Sequence, residues 1–184
     1  MRKIKMVVGN KKIGTALTWA YPNGQSLGIY KIPTYTLTVS GELDDGKRTK
    51  KDYEILRFGI QGKTSKSARV VGLADAQKHK IKSWLPNYTV HSARSLEQGA
   101  WQVYGNFLIH DGPDDPKREV YASIGCLEVC NGPRGFDKFN DFIIELSGST
   151  QPTRKSKLKE IGKSRVITIH YKSAVRPPLG APIP

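Results

Sequence analysis

The run Ala100-Trp101-Gln102-Val103-Tyr104-Gly105-Asn106-Phe107-Leu108-Ile109-His110 constrains the fold more than any other stretch. Its aromatic and β-branched residues suit a pleated surface, and its later part is apolar on both faces, which argues a buried strand. Asp111-Gly112-Pro113-Asp114-Asp115-Pro116 then ends it. Proline cannot continue a ladder, and short acidic residues favour turns.

The rest of the chain reads mainly as strands around that one. Ser26–Ile32 and Tyr35–Gly41 are strand-like, with Pro33-Thr34 between them. Asp44-Asp45-Gly46-Lys47 is a turn, Tyr53–Ile60 a further strand, and Gln61–Arg69 a polar, basic loop before the apolar run Val70–Leu73. Asn87–His91 predicts a strand and Glu97-Gln98-Gly99 a turn. Phe136, Phe139, Phe142, Ile143 and Leu146 fall on one helical face, with Gly135 before them and Gly148 after. Gln151–Arg165 is strongly basic, and the alternation of Val166–Tyr171 predicts a last strand. These elements predict a β-rich α+β architecture with one helix near the C-terminal end. The expected organisation is a basic N-terminal arm over 1–25, a single domain over 26–172, and a Pro-rich tail over 173–184.

Charge bounds the partners. Lysine and arginine number 30 against 16 acids, a net +14 over 184 residues. Such an excess favours nucleic acid, an anionic membrane face or an acidic polymer such as a bacterial wall. No helix-turn-helix, zinc finger or aromatic RNA-stacking motif is present to read a base sequence, which leaves a nucleic-acid-binding module as the weakest of the alternatives. No apolar run approaches the roughly 20 residues of a membrane span. The apolar start of Met1–Gly9 stops at Val8, short of the roughly 7–15 residues of a secretory leader. The expectation is synthesis in the cytoplasm without a cleaved signal.

Two cysteines are too few for a disulfide scaffold. On a strand, Cys126 and Cys130 would sit about 13 Å apart at Cα, too far to bridge; on a helix, about 6 Å. The histidines at 79, 91, 110 and 170 make no tight ligand pair, and Cys-Leu-Glu-Val-Cys has no partner pair, so neither zinc nor any cofactor is expected.

One pair of segments carries chemistry: Ile109-His110-Asp111-Gly112, and Ser123-Ile124-Gly125-Cys126-Leu127. A free thiol is only a few per cent ionised at neutral pH, and a histidine beside it can take its proton. Residues 111–125 are long enough to form a loop and a return strand that brings Cys126 back beside His110. Gly125 lets the backbone turn sharply and leaves the amides of Gly125 and Cys126 to stabilise an oxyanion. Trp101, Tyr104 and Tyr88 are candidates to line the cleft. Cys130 reads as structural. Taken singly, a core histidine and a buried cysteine acting as a small hydrophobe explain the two residues as well.

His-x-Gly, a short loop, Ser-x-Gly-Cys-aliphatic, a helix and a last strand together resemble the L,D-transpeptidase (YkuD-like) catalytic domain. The resemblance implies a β-sandwich-type catalytic domain with its site in a cleft. It implies Cys126 as nucleophile toward a peptidoglycan stem-peptide amide and His110 as base, with Ser123, Gly125 and Gly112 shaping the site. It also implies a toxin or effector of the kind delivered to a target periplasm by type VI and related secretion machines, with an immunity protein as possible partner. Ile124 stands where the family has histidine, and Glu128 stands near the family's Arg or Asn. Those two positions motivate an alternative, a catalytically inactive effector on the same scaffold that binds a protein.

Overall fold

The computed structural model describes residues 1–89 and 99–183. Alternation of buried and solvent-facing residues begins at once. Ile4–Val8 (β1) buries Ile4, Met6 and Val8, and Gly14–Ala20 (β2) buries Ala16, Thr18 and Ala20. Residues 1–25 are therefore not a detached arm, because their apolar positions have the period of two that a half-buried strand requires.

Gly24–Glu42 (β3) is one strand of 19 residues rather than two. Pro33 is tolerated because it lies at the junction where β3 changes partner. Its first part pairs with β2, Thr34 opposite Gly14, and its second part pairs with β1, Val39 opposite Met6. Arg48–Leu56 (β4) returns along β3. Gly59–Thr64 (β5) and Ser67–Val71 (β6) then form a two-stranded hairpin where a polar loop was expected. Gln77–Lys80 (β7) and Ser83–Leu85 (β8) follow.

The long apolar run divides into Ala100–Tyr104 (β9) and Phe107–Asp111 (β10), turning at Gly105 with φ of 52°. A positive φ is inexpensive for glycine, so the hairpin forms inside what reads as a single strand. Val120–Ala122 (β11) and Leu127–Val129 (β12) precede the helices, and Ile167–Tyr171 (β13) closes the order. The main path runs β7-β13-β1-β3-β4-β12-β10-β9-β8, with β2 on β3 and β11 on β2.

The helix Gly135–Ser147 (α1) buries all five residues of its predicted face and stops at Gly148 in the left-handed conformation. Each such side chain contributes about 1.5–3 kcal/mol on burial. They pack against the sheet face that holds Tyr53, Ile55, Trp101, Ile109 and Leu127. A second helix, Arg154–Ser164 (α2), corrects the expectation of one. Its basic surface hides a short apolar stripe, Leu158 and Ile161, and Thr153 with Ser156 forms a reciprocal cap at its start. A Cβ on Gly162 would sit 2.5 Å from the Trp84 nitrogen, so glycine there lets α2 lie on β8.

Arg57 is fully buried between β4 and β5. Its guanidinium donates to the carbonyls of Gly9 (2.8 Å), Leu73 (3.1 Å) and Lys172 (2.6 Å), joining three segments distant in sequence. Among the described residues no helix is long and apolar enough to cross a membrane. Residues 173–183 form an extended tail, held by Arg176 on the Gly72 carbonyl and by Ile183 against Ile29.

Candidate functional site

β10 and β12 run side by side in parallel, with Ile109 opposite Leu127 and His110 opposite Glu128. Opposed residues project to the same face, as do residues two apart on one strand. Cys126, two before Glu128, therefore shares a face with Glu128 and His110. Packing agrees: Cys126 clusters with Ala100 and Leu108, and Ala100 is the β9 partner of His110. Strand spacing and rise put the Cα atoms of Cys126 and His110 about 8 Å apart. This face is the one turned away from α1.

The His110 ring is 4% exposed, and its Nδ1 lies 2.7 Å from the Asp111 carbonyl oxygen. A carbonyl only accepts, so Nδ1 carries a proton toward it; in the neutral form of a ring so held, the lone pair falls on Nε2. That is the tautomer a thiol base requires.

The thiol is less prepared. Cys126 is 5% exposed, and its Sγ donates a long contact of 3.8 Å to the Asn106 carbonyl. Burial pushes its pKa up to about 11; a backbone contact from Leu108 opposes this and the Glu128 carboxylate adds to it. The resting sulfur is a thiol at neutral pH. Glu128 is 1% exposed and lies level with the imidazole.

The turn before Cys126 is shaped by close backbone approach. Gly125 has φ of 96°, and a Cβ there would lie 2.6 Å from the Gly72 Cα. A Cβ on Gly59 would lie 2.0 Å from the Ser123 carbonyl oxygen, which accepts from the Ile60 amide at 2.8 Å. Glycines 59, 72 and 125 thus let the β5–β6 hairpin press directly on the cysteine turn. The Ser123 side chain is buried, and its Oγ has no hydrogen-bond partner among the described residues. Ile124 points outward and is 47% exposed. Gly112 donates to the Val129 carbonyl at 3.0 Å, and a Cβ there would meet the Glu128 Cβ at 2.8 Å. Its part is to let β10 close on β12, one step removed from the thiol.

Of the three candidate cleft aromatics, Tyr88 alone sits at this site, its ring 6.1 Å from the His110 ring. Trp101 is core, bonded through Nε1 to Asn140 at 2.9 Å, and Tyr104 stacks on His79. Burial raises the Tyr88 hydroxyl, and the charges of Cys126, Glu128 and Tyr21 raise it further. Tyr21 and Tyr88, both exposed, stand within electrostatic range of one another. Sequence reasoning missed Tyr21, and the Asp111 carbonyl carries no side-chain signal at all.

Cys130 is buried with its Sγ 3.3 Å from the Glu128 carbonyl, and burial raises its thiol well above the ordinary range. Both cysteines are free thiols. The expected strand over 87–91 lies partly outside the described residues, as does the turn at 97–99 and with it His91. Among the described residues no cluster of three or more His, Cys, Asp or Glu side chains is placed to hold a metal ion.

Compared with known proteins, the chain matches no family model, no curated protein and no solved structure.

Proposed function

We propose that the protein is a cysteine-dependent acyl-transfer or hydrolytic enzyme acting on peptidoglycan stem peptides, a delivered antibacterial effector of L,D-transpeptidase type. The observation that carries this reading is the common face of His110 on β10 and Cys126 at the entry to the parallel strand β12, with the imidazole Nδ1 donating to the Asp111 carbonyl. A thiol of raised pKa attacks only if its proton leaves as the new bond forms, and a positioned base supplies that path.

His110 Nε2 takes the Cys126 proton as Sγ attacks the amide carbonyl carbon. The carbonyl oxygen becomes an oxyanion, held by the amides of Gly125 and Cys126. Collapse breaks the C–N bond, and His110 returns the proton to the departing amine, leaving a thioester. An acceptor amine or water then attacks that thioester, gives its proton to His110, and the sulfur leaves and is reprotonated. Glu128 beside the imidazole stabilises the imidazolium formed midway, at the expense of a less acidic thiol.

Mass spectrometry of purified sacculi incubated with wild type and with Cys126→Ala tests the reading. The expected result is altered muropeptides with wild type and none with the folded variant. Identical muropeptides from both would end the enzymatic assignment.

A second reading has its own support. The sulfur is nearly sealed and rests as a thiol, beside a carboxylate that disfavours ionisation. On that reading the scaffold is a non-catalytic effector that binds a protein. Unaltered sacculi together with a saturable protein partner would favour it.

A further inference from the structure

Five strands of the main sheet, β7-β13-β1-β3-β4, leave one face open to solvent on the side away from α1. One transverse row crosses all five. Lys80 is opposite Thr168, Thr168 opposite Lys5, Lys5 opposite Ser40, and Ser40 opposite Lys50. Cations and hydroxyls alternate along it. With strands about 4.8 Å apart, the lysines recur about every 10 Å over roughly 19 Å. The next row holds Lys78 and His170, and Lys3 adds a further cation at the start of β1. Lys3, Lys5, Lys78, Ser40, Thr168 and His170 also line a depression of about 710 Å³.

Edge protection accounts for Lys78 and Lys80 on the outermost strand. It does not account for Lys5, which lies on an inner strand of the same sheet. Ordinary solvated sheet faces mix signs across strands. Here the acids nearest the row are Asp52, engaged by the Thr38 hydroxyl at 2.6 Å, and Glu42 at the end of β3, which lines the same depression and sits opposite Arg48. Among the described residues none of Lys3, Lys5, Lys50, Lys78 or Lys80 is in a salt bridge. Interposed hydroxyls separate like charges that would repel if directly opposed.

Lysine ammonium groups interleaved with serine and threonine hydroxyls are the donors used on phosphate oxygens. Neither row contains Phe, Tyr or Trp, so a nucleobase has no aromatic platform to stack on. We propose that this face binds a linear, base-free phosphodiester polymer laid across the five strands. The proposal is independent of the cysteine chemistry.

The test uses the full chain and fluorescent poly(glycerol phosphate) of defined length, titrated at several salt concentrations. Saturable binding is expected, weakening linearly in log–log with salt. The triple variant Lys5→Gln/Lys50→Gln/Lys80→Gln, all at exposed positions, should lose about tenfold or more in affinity at low salt. Its slope should flatten by about 2, at roughly 0.7 per phosphate contact removed. Lys155→Gln/Lys159→Gln/Lys163→Gln on α2 removes equal charge elsewhere and should change affinity less than twofold. Equal loss in both triple variants would reduce the effect to net charge and overturn the proposal. So would the absence of binding at low salt, or tighter binding of a single-stranded oligonucleotide with the same number of phosphates. The Cys126→Ala chain should bind as wild type does, and turnover plays no part in the readout.

Discussion

His110 and Glu128 sit level with each other across the parallel β10–β12 pair, a buried carboxyl beside a buried imidazole. A carboxylate in that place favours imidazolium and disfavours thiolate, so it couples the two halves of the site with opposite sign. In Glu128→Gln the Cys126 thiol loses a charge that raises its pKa. The pH midpoint for Cys126 alkylation should move down, measured by mass-resolved iodoacetamide labelling across pH. An unmoved or raised midpoint would disconnect the two groups.

The same labelling separates the two sulfurs. In the folded chain Cys126 should react faster than Cys130, because Cys126 lies in the turn beside exposed Ile124 and Tyr88 while burial holds the Cys130 thiol well above the ordinary range. Equal slow labelling of both would identify Cys126 as an inert core residue.

Alkaline stability follows from the raised thiol. The folded pKa of Cys126 is about 11 against an ordinary 9.0. The native state therefore holds its proton more tightly than the unfolded chain. Its contribution is complete below about pH 9 and is lost as pH rises through 11, on the order of 2–3 kcal/mol in all. Tyr53, pushed up to about 12, adds a loss at higher pH. Urea unfolding between pH 8 and 11 should show falling stability, less steeply in Cys126→Ala.

Gly125→Ala should destabilise by about 1–3 kcal/mol, read as a lower urea midpoint. Its φ of 96° is strained for any Cβ-bearing residue, and the methyl would lie 2.6 Å from the Gly72 Cα. Loss of stability with the thiol labelling rate unchanged would assign Gly125 to architecture alone.

Arg57→Met should cost about 3–5 kcal/mol, at roughly 1–3 kcal/mol for each buried carbonyl left without a donor. It strips donors from the carbonyls of Gly9, Leu73 and Lys172 in a site that water does not reach. Equilibrium unfolding would show it, and a cost below about 1 kcal/mol would mean those carbonyls find other donors.

The features legible in the sequence are those written in local periodicity. The α1 face, from Phe136 to Leu146, and the alternation of β13 were visible because each element buries one side by itself. The α2 helix was not, because Leu158 and Ile161 are too few to stand out among lysines, and its capping Thr153-Ser156 pair is short-range chemistry in a basic run. The β9–β10 hairpin escaped although Gly105-Asn106 is a two-residue turn signal, because the apolar and aromatic residues on both sides read together as one continuous strand. At the site, the motif pointed to His110, Cys126 and Gly125, and parallel pairing puts the two side chains on one face. Tyr21 and the glycines 59 and 72 reach the site only through tertiary contacts that no local pattern encodes.

β1 lies between β3 and β13, with Ile4 paired to Ile167 across most of the chain. The pairing joins segments far apart in sequence, so this part of the sheet is complete only when residues 167–171 dock beside β1. Folding gated by so distant a contact is slow.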